Sequence, residues 1–282
     1  MKKGLFKKVI GTILASTCLF TLVSCGGGET DKGVSTNSSK DKSKIQEIKD
    51  KGVLTLGTSA NYPPYEFHKN IDGKDTIIGF DIEIAKEIAK ELGVKLEITD
   101  MKFESLVASL QTGTVDMVIA GMNPTDERQK SVDFSNIYYT AEHGIIILNK
   151  DKDKYINKDS LKGKTIGAQK GTIQETLAKE QISEVKFKGL NTVSDLIMDM
   201  RVGNVDAVVC ELPVAEYNVK KNNDLHVITD TGFKVDENEK GSAIAMPKGS
   251  GDLVELVNKV IKRLADEGKI NKFIIEANEL IN

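Results

Sequence analysis

Tryptophan is absent from the 282 residues, and histidine and cysteine occur three times each. His68, His143 and His226 are scattered, with neither metal-ligand nor catalytic-triad spacing. No nucleophile motif stands beside them. Neither a metal nor a cofactor is therefore expected, and an enzyme has little to stand on. Cys18 and Cys25 lie near the N-terminus, so Cys210 has no partner for an internal disulfide in the body of the chain. It sits in the apolar run Ala207-Val208-Val209-Cys210, which reads as a buried thiol. Beyond Val23 no stretch is long and apolar enough to span a bilayer. Basic charge is not in excess, with 39 Lys and Arg against 42 Asp and Glu, so no nucleic-acid footprint exists.

What is present begins with Lys2, Lys3, Lys7 and Lys8, followed by an uncharged, mostly apolar run from Val9 to Val23. As a helix that run rises only ~22 Å, too short for a ~30 Å hydrocarbon core and suited to a signal peptide. It ends in Leu22-Val23-Ser24-Cys25, which resembles the bacterial lipobox. Residues 1–24 are expected to be removed and Cys25 to carry lipid. Gly26 to Lys44 is polar, small and almost without apolar residues, so 25–44 reads as a flexible tether with a span of ~25 Å. Loss of the four signal lysines leaves a net charge near −7.

From Ile45 onward β-like runs alternate with amphipathic segments, a pattern of α/β structure with mostly parallel sheets. Strands are expected at Val53–Gly57, Val94–Ile98, Val115–Ala120, Gly144–Leu148, Thr165–Ala168, Val185–Phe187 and Val205–Cys210. Helices are expected at Phe80–Leu92, Glu104–Leu110, Ile173–Lys179 and Val193–Met200. An internal echo runs at a constant offset of 90. Ser105-Leu106, Leu110, Gly113 and Val115-Asp116 match Asp195-Leu196, Met200, Gly203 and Val205-Asp206. Any α/β protein can repeat helix, glycine and strand, but the fixed offset favours two similarly built lobes. Ligands settle between such lobes at the carboxyl ends of strands.

Four stretches fall where strand ends would face that cleft. Gly121 to Arg128 follows a strand, with Thr125 as an N-cap. Arg128 is one of few arginines, and a guanidinium fork suits a carboxylate, although a solvated helix arginine would look the same. Gly167 to Glu175 is strand, glycine turn and helix start. Thr172 and Glu175 have capping-box spacing, and the helix N-terminus suits an anionic group. Glu211 ends a strand before Pro213, where it could pair an ammonium or simply be solvated. Asn61 to Phe67 is a stiff aromatic loop, and Phe103 precedes a helix; both suit stacking on a small solute, or plain packing. Together these groups match the demands of a free amino acid.

The same residues resemble extracellular solute-binding protein family 3, the polar amino acid receptors of ABC importers, from about residue 48 to 280. Gly57 to Phe67, Gly79-Phe-Asp-Ile-Glu-Ile-Ala-Lys86, Gly121 to Arg128, Val132 to Ser135 and Tyr138-Tyr139 carry the resemblance. It implies a periplasmic-binding-protein type II fold. One lobe would span 45–139 and 236–282, the other 140–235, joined by two hinge segments. By position, Arg128 would bind the α-carboxylate, assisted by the Asn123 N–H and Thr172. Glu211 and the Gly121 carbonyl would hold the ammonium. Tyr62 and Phe103 would stack on the side chain, with Ser59 and Gln169 tuning specificity. Glu211 stands where the family usually has Asp. Ser59 replaces the Asp of several receptors for cationic amino acids, which lowers the expectation of lysine, arginine or histidine. The resemblance implies a monomeric, lipid-anchored receptor on the outer face of the cell membrane, working with an ABC permease and its ATPase subunits. The alternatives are a sensory lipoprotein and, further off, an extracytoplasmic dehydratase of the same fold.

Overall fold

Five strands make the first sheet, and the rest of the architecture follows from where the chain leaves it and returns. The computed structural model describes residues 43–280. The signal peptide, Cys25 and nearly all of the expected tether lie outside the described residues.

The first lobe opens with α1 (Lys44–Lys51), a helix the sequence pattern did not anticipate and whose first residue alone fell in the expected tether. The Ser43 hydroxyl caps it by accepting from the Gln46 N–H at 3.2 Å, and Asp252 takes the Ile45 N–H at 3.0 Å. The structured body therefore starts slightly earlier than its composition suggests. Strand β1 (Val53–Thr58) follows, then a small antiparallel sheet of β2 (Asn61–Tyr62), β3 (Glu66–Ile71) and β4 (Lys74–Ile78). Next come α2 (Phe80–Leu92), β5 (Lys95–Asp100), α3 (Leu106–Gln111), β6 (Met117–Val118), α4 (Asp126–Gln129) and β7 (Val132–Tyr139). Helix α2 buries Ile82, Ala85, Ile88, Ala89 and Leu92, the stripe its 3–4 spacing predicts, and ends on left-handed Gly93.

The second lobe contains β8 (His143–Leu148), β9 (Thr165–Gln169), α5 (Ile173–Gln181), β10 (Lys186–Leu190), α6 (Val193–Arg201), β11 (Ala207–Glu211), α7 (Leu212–Lys221) and β12 (Leu225–Ile228). The chain then returns to the first sheet as β13 (Ser242–Pro247) and closes with α8 (Gly251–Asp266) and α9 (Lys269–Leu280). The strand orders are β5-β1-β6-β13-β7 and β10-β9-β11-β8-β12. In each sheet three parallel strands join an antiparallel pair. The chain thus crosses between sheets twice, after β7 and after β12.

The internal echo is structural. In the first lobe the Asp116 N–H donates to the Thr55 carbonyl at 2.8 Å, and Asp116 Oδ2 accepts the Thr55 N–H at 2.9 Å. In the second, Asp206 makes the same pair of bonds with Thr165, at 2.7 and 2.9 Å. Each aspartate therefore stitches its strand to the neighbouring parallel strand just where pairing begins. This also corrects two boundaries. The strand expected at Val115–Ala120 narrows to β6, because Asp116 pairs through its side chain and the backbone bends away toward Gly121, whose φ is +54°. The strand expected from Val205 starts at Ala207 for the same reason. The helix expected from Glu104 begins as a 3₁₀ turn at Phe103–Ser105.

Candidate functional site

The loop after β1 is held from below. The Ala60 N–H donates to Asp100 at 2.8 Å, and Asn61 donates to the Ser59 hydroxyl at 3.0 Å. Pro63-Pro64 is a cis bond in this loop. Tyr62 and Tyr65 pack at 5.5 Å between ring centroids, and Tyr65 stacks on Phe80 at 4.6 Å. Gly79 makes that packing possible. Its φ is +133°, and a Cβ there would lie 2.0 Å from the Tyr65 carbonyl oxygen. That carbonyl instead accepts the Asp81 N–H at 3.1 Å, which locks the aromatic loop to the start of α2.

Arg128 sits on α4, whose N-cap Thr125 accepts the Arg128 N–H at 3.3 Å, as its position predicts. The guanidinium donates to the Asn123 carbonyl at 2.6 Å and to the Gly171 carbonyl, on the other lobe, at 2.7 Å. It lies 5.2 Å from the Phe103 ring centre. No carboxylate pairs with it among the described residues, and burial lowers its pKa to about 10. A desolvated guanidinium satisfied only by carbonyls and a π face attracts an anion.

Across the cleft, Thr172 and Glu175 do not form the expected capping box. The Thr172 hydroxyl donates to the Gln169 carbonyl at 2.7 Å, and Glu175 accepts from the Gly171 N–H at 2.8 Å. The glycine turn swings Gly171 N–H, rather than the N-cap N–H, toward Glu175. Gln169 donates to the Asn191 carbonyl at 2.8 Å and approaches Asn61 at 3.4 Å.

Ser59, Tyr62, Phe103, Gly121 and Asn123 from the first lobe line one small cavity with Gln169 and Thr172 from the second. Arg128 stands in the adjoining outer groove, again with Thr172. Glu211 lies behind the tyrosines instead of on the cavity wall. Its carboxylate accepts from the Tyr65 hydroxyl, and its N–H donates to the Tyr62 hydroxyl at 3.0 Å. Burial raises Glu211 to about 8, against a lowering pull from Tyr65.

Sequence reasoning missed two acids. Glu66, at the start of β3, is fully buried and lines the same cavity, and neither carboxyl oxygen has a hydrogen-bond partner. Burial and then the adjacent Asp81 push its pKa well above the usual range. Asp81, in the first turn of α2, accepts through Oδ2 from the Gly121 N–H and the Tyr138 hydroxyl, both at 2.9 Å, while Oδ1 has no partner. Burial raises it to about 6. The signal was available in Tyr65-Glu66-Phe67, where an acid stands between two aromatics in a loop with no nearby basic residue before His68. Elsewhere, no group of three or more His, Cys, Asp or Glu among the described residues is arranged to hold a metal ion. No described helix is long and apolar enough to cross a membrane.

A model of the bacterial extracellular solute-binding proteins, family 3, matches residues 54–276. The chain is 40% identical over 268 residues to the arginine-binding extracellular protein ArtP of Bacillus subtilis (strain 168), covering 94% of this chain and 96% of that protein. It is 32% identical over 238 residues to the L-cystine-binding protein TcyJ of Escherichia coli (strain K12), covering 84% and 87%. Among solved structures, an amino acid ABC transporter substrate-binding protein from Streptococcus pneumoniae, bound to L-arginine, aligns with a TM-score of 0.80 at 39% identity. That alignment covers 84% of this chain and 98% of that one.

Proposed function

The chain belongs to the bacterial extracellular solute-binding proteins of family 3, and from the chemistry of its cleft we propose that its ligand is a cationic amino acid, L-arginine first. It binds an amino acid outside the cytoplasm for an ABC-type importer. The observation that carries the finer reading is Glu66, a buried carboxyl without partners on the cavity wall. Ser59 removes one acid from the cleft, and Glu66 supplies another. A guanidinium or ammonium beside Glu66 would offset the burial that disfavours its ionised form, giving a charge-paired contact that a neutral side chain cannot match. The arginine-binding relative and the arginine-bound structure support the same choice.

At the other end of the ligand, Arg128 takes the α-carboxylate with the Asn123 N–H and Thr172, exchanging its carbonyl partners for charge. The Gly121 carbonyl holds the ammonium, and Glu211, bonded to Tyr65 as the lobes lie, joins it only by turning from that hydroxyl when the lobes part; Tyr62 and Phe103 flank the side chain. As the lobes lie, the cavity has room for about one water. Loading therefore needs the lobes to part at the two crossings, with lobes of 45–139 plus 236–282 and 140–235. The protein acts as a monomeric receptor rather than an enzyme, held at the membrane by lipid on Cys25 after loss of residues 1–24 and joined by the tether. Lipid on such cysteines has at least two chains, enough for stable anchoring.

Calorimetry of the folded protein against arginine, lysine, histidine, glutamine and cystine tests the ligand class. Arginine should bind most tightly. A preference for glutamine or cystine, with arginine weak, would overturn the cationic reading. Labelled palmitate should enter the full-length protein in bacteria, and not its Cys25→Ala variant.

A further inference from the structure

Two glutamines of the second lobe line the cavity, Gln169 at the end of β9 and Gln174 in the first turn of α5. Both are buried. A primary amide has donors on its nitrogen and acceptors on its oxygen, so the end that faces a ligand decides what it can bind. In both residues the nitrogen is tied from behind. Gln169 Nε2 donates to the Asn191 carbonyl at 2.8 Å and to Asn61 Oδ1 at 3.4 Å. Asn61 is fixed in turn, because its own nitrogen donates to the Ser59 hydroxyl at 3.0 Å. Gln174 Nε2 stands 3.3 Å from Nδ1 of His143. His143 opens β8, just past the first crossing between the lobes, and is also buried. Burial lowers its pKa to about 4, so the ring is neutral near pH 7. With the ring hydrogen on Nε2, Nδ1 is a bare acceptor for the Gln174 amide. No donor meets Oε1 of either glutamine among the described residues. The nitrogen and oxygen of an amide diverge, so tying the nitrogens back leaves the oxygens to the cavity. Glu66 adds two acceptor oxygens without partners to the same wall.

We infer that His143 is a positioning residue for ligand choice: it holds Gln174 with its oxygen toward the ligand, and the acceptor wall so formed selects a guanidinium over an isosteric group that carries an oxygen. The inference rests on the reading of the ligand as a cationic amino acid. A guanidinium offers N–H donors in a planar fork and has no acceptor. It can therefore meet Gln169, Gln174 and Glu66 together. The ammonium of lysine or ornithine carries its donors on one atom and cannot span acceptors set apart. The ureido group of citrulline has nearly the shape of a guanidinium, but it sets an oxygen against the oxygens of the wall. A site built around hydrogen bonds rejects such an analogue because its polar groups are left without partners. His143 touches no ligand in this scheme. Its part is to keep the Gln174 amide from turning over. A released amide can turn, and its nitrogen would then give citrulline the donor it lacks.

Calorimetric titration of the folded protein with L-arginine and L-citrulline at pH 7 tests this. His143→Leu removes the acceptor and keeps a buried apolar side chain. The preference for arginine over citrulline should fall roughly tenfold in that variant, the worth of one hydrogen bond to a charged group. Arginine should weaken while citrulline holds or gains. His143→Asn can accept through Oδ1 and should recover part of the preference; no recovery would count against the proposal. Equal weakening of both ligands in His143→Leu, or an unchanged preference, would make His143 a packing residue and overturn the inference, with arginine binding in the wild type leaving the ligand reading intact. Gln174→Met has no nitrogen to turn inward, so it should weaken arginine with no gain for citrulline. Unchanged arginine affinity there would remove Gln174 from the wall and overturn the inference as well, whether or not His143→Leu folds. Failure of arginine, lysine and ornithine all to bind the wild type would instead overturn the ligand reading, and this inference with it.

Discussion

The hydroxyl of Tyr65, on the first lobe, donates to the carboxylate of Glu211, on the second. The bond joins the aromatic loop to the end of β11 and leaves Glu211 with one donor in a fully buried place. Burial raises its pKa from 4.5 to about 8, and the Tyr65 bond restrains that rise. A raised folded-state pKa means that the unfolded chain loses the proton first. The associated stability is fully present below the unfolded value and is lost as pH rises through about 8.

Stability without ligand should therefore fall between pH 6.5 and 8. His143, lowered by burial to about 4, has the opposite sign but acts only below 6.5. For Glu211 alone the loss over this window is about 2 kcal/mol, or a Tm decrease of roughly 4–8 °C. Differential scanning calorimetry at the two pH values checks it. Glu211→Gln should flatten the slope, and a Tm that rises over the same window would refute the account.

Arg128 bridges the lobes through the Asn123 and Gly171 carbonyls and has no carboxylate partner among the described residues. Arg128→Ala should cost about 2–5 kcal/mol of amino acid affinity, because a buried ligand carboxylate would lose its charged partner. Arg128→Lys should recover only part of it, since an ammonium cannot reproduce the fork. Calorimetric titration with arginine gives both numbers. Micromolar binding retained by the alanine variant would remove Arg128 from the site.

Gly79 is where the backbone comes closest to failing. Its φ of +133° suits glycine alone, and a Cβ would sit 2.0 Å from the Tyr65 carbonyl oxygen. Gly79→Ala must move either the aromatic loop or the start of α2, and with it Glu66 and Asp81. A loss of at least about 3 kcal/mol is expected. Urea denaturation should show the midpoint fall, and near-wild-type stability would mean that the loop yields more easily than its packing suggests.

How much of this was legible in the chain follows from the kind of signal each feature leaves. Helix α2 was readable to the residue because its apolar stripe is periodic and Gly93 stops it. The short β6 was over-read, because an apolar run records burial and not strand pairing. The small sheet of β2, β3 and β4, the returning strand β13 and the helices α8 and α9 left no expectation, since their pairings join distant segments. In the cleft, residue type and position pointed to the cavity-lining residues. They could not show Glu211 turned toward Tyr65, nor Thr172 bonded to Gln169, because a side chain's choice among nearby partners is a tertiary matter. Glu66 went unread although Tyr65-Glu66-Phe67 offered a signal, because an acid between two aromatics marks a candidate without giving its depth.

Asp116 and Asp206 test the likeness of the lobes. Each accepts the N–H of a threonine in the neighbouring strand, Thr55 or Thr165, at 2.9 Å. Replacing either by alanine strands that N–H, at a cost of about 1–3 kcal/mol. Asp116 should be the costlier, because Lys44 and Lys51 approach it at 3.1 and 2.5 Å and tie α1 to the sheet. Burial pushes the Asp116 carboxyl up, but the hydrogen bonds from Lys51, the Thr55 N–H and Lys44 outweigh that and hold it below the usual range. Its contribution is thus present above the unfolded pKa near 3.8 and is lost as pH falls through the lower folded value. Urea midpoints at pH 7 should order wild type above Asp206→Ala above Asp116→Ala. Below pH 4 the gap between wild type and Asp116→Ala should narrow. A gap that stays constant into acid would mean that Asp116 acts by packing alone, and that the two lobes share a shape without sharing the bond.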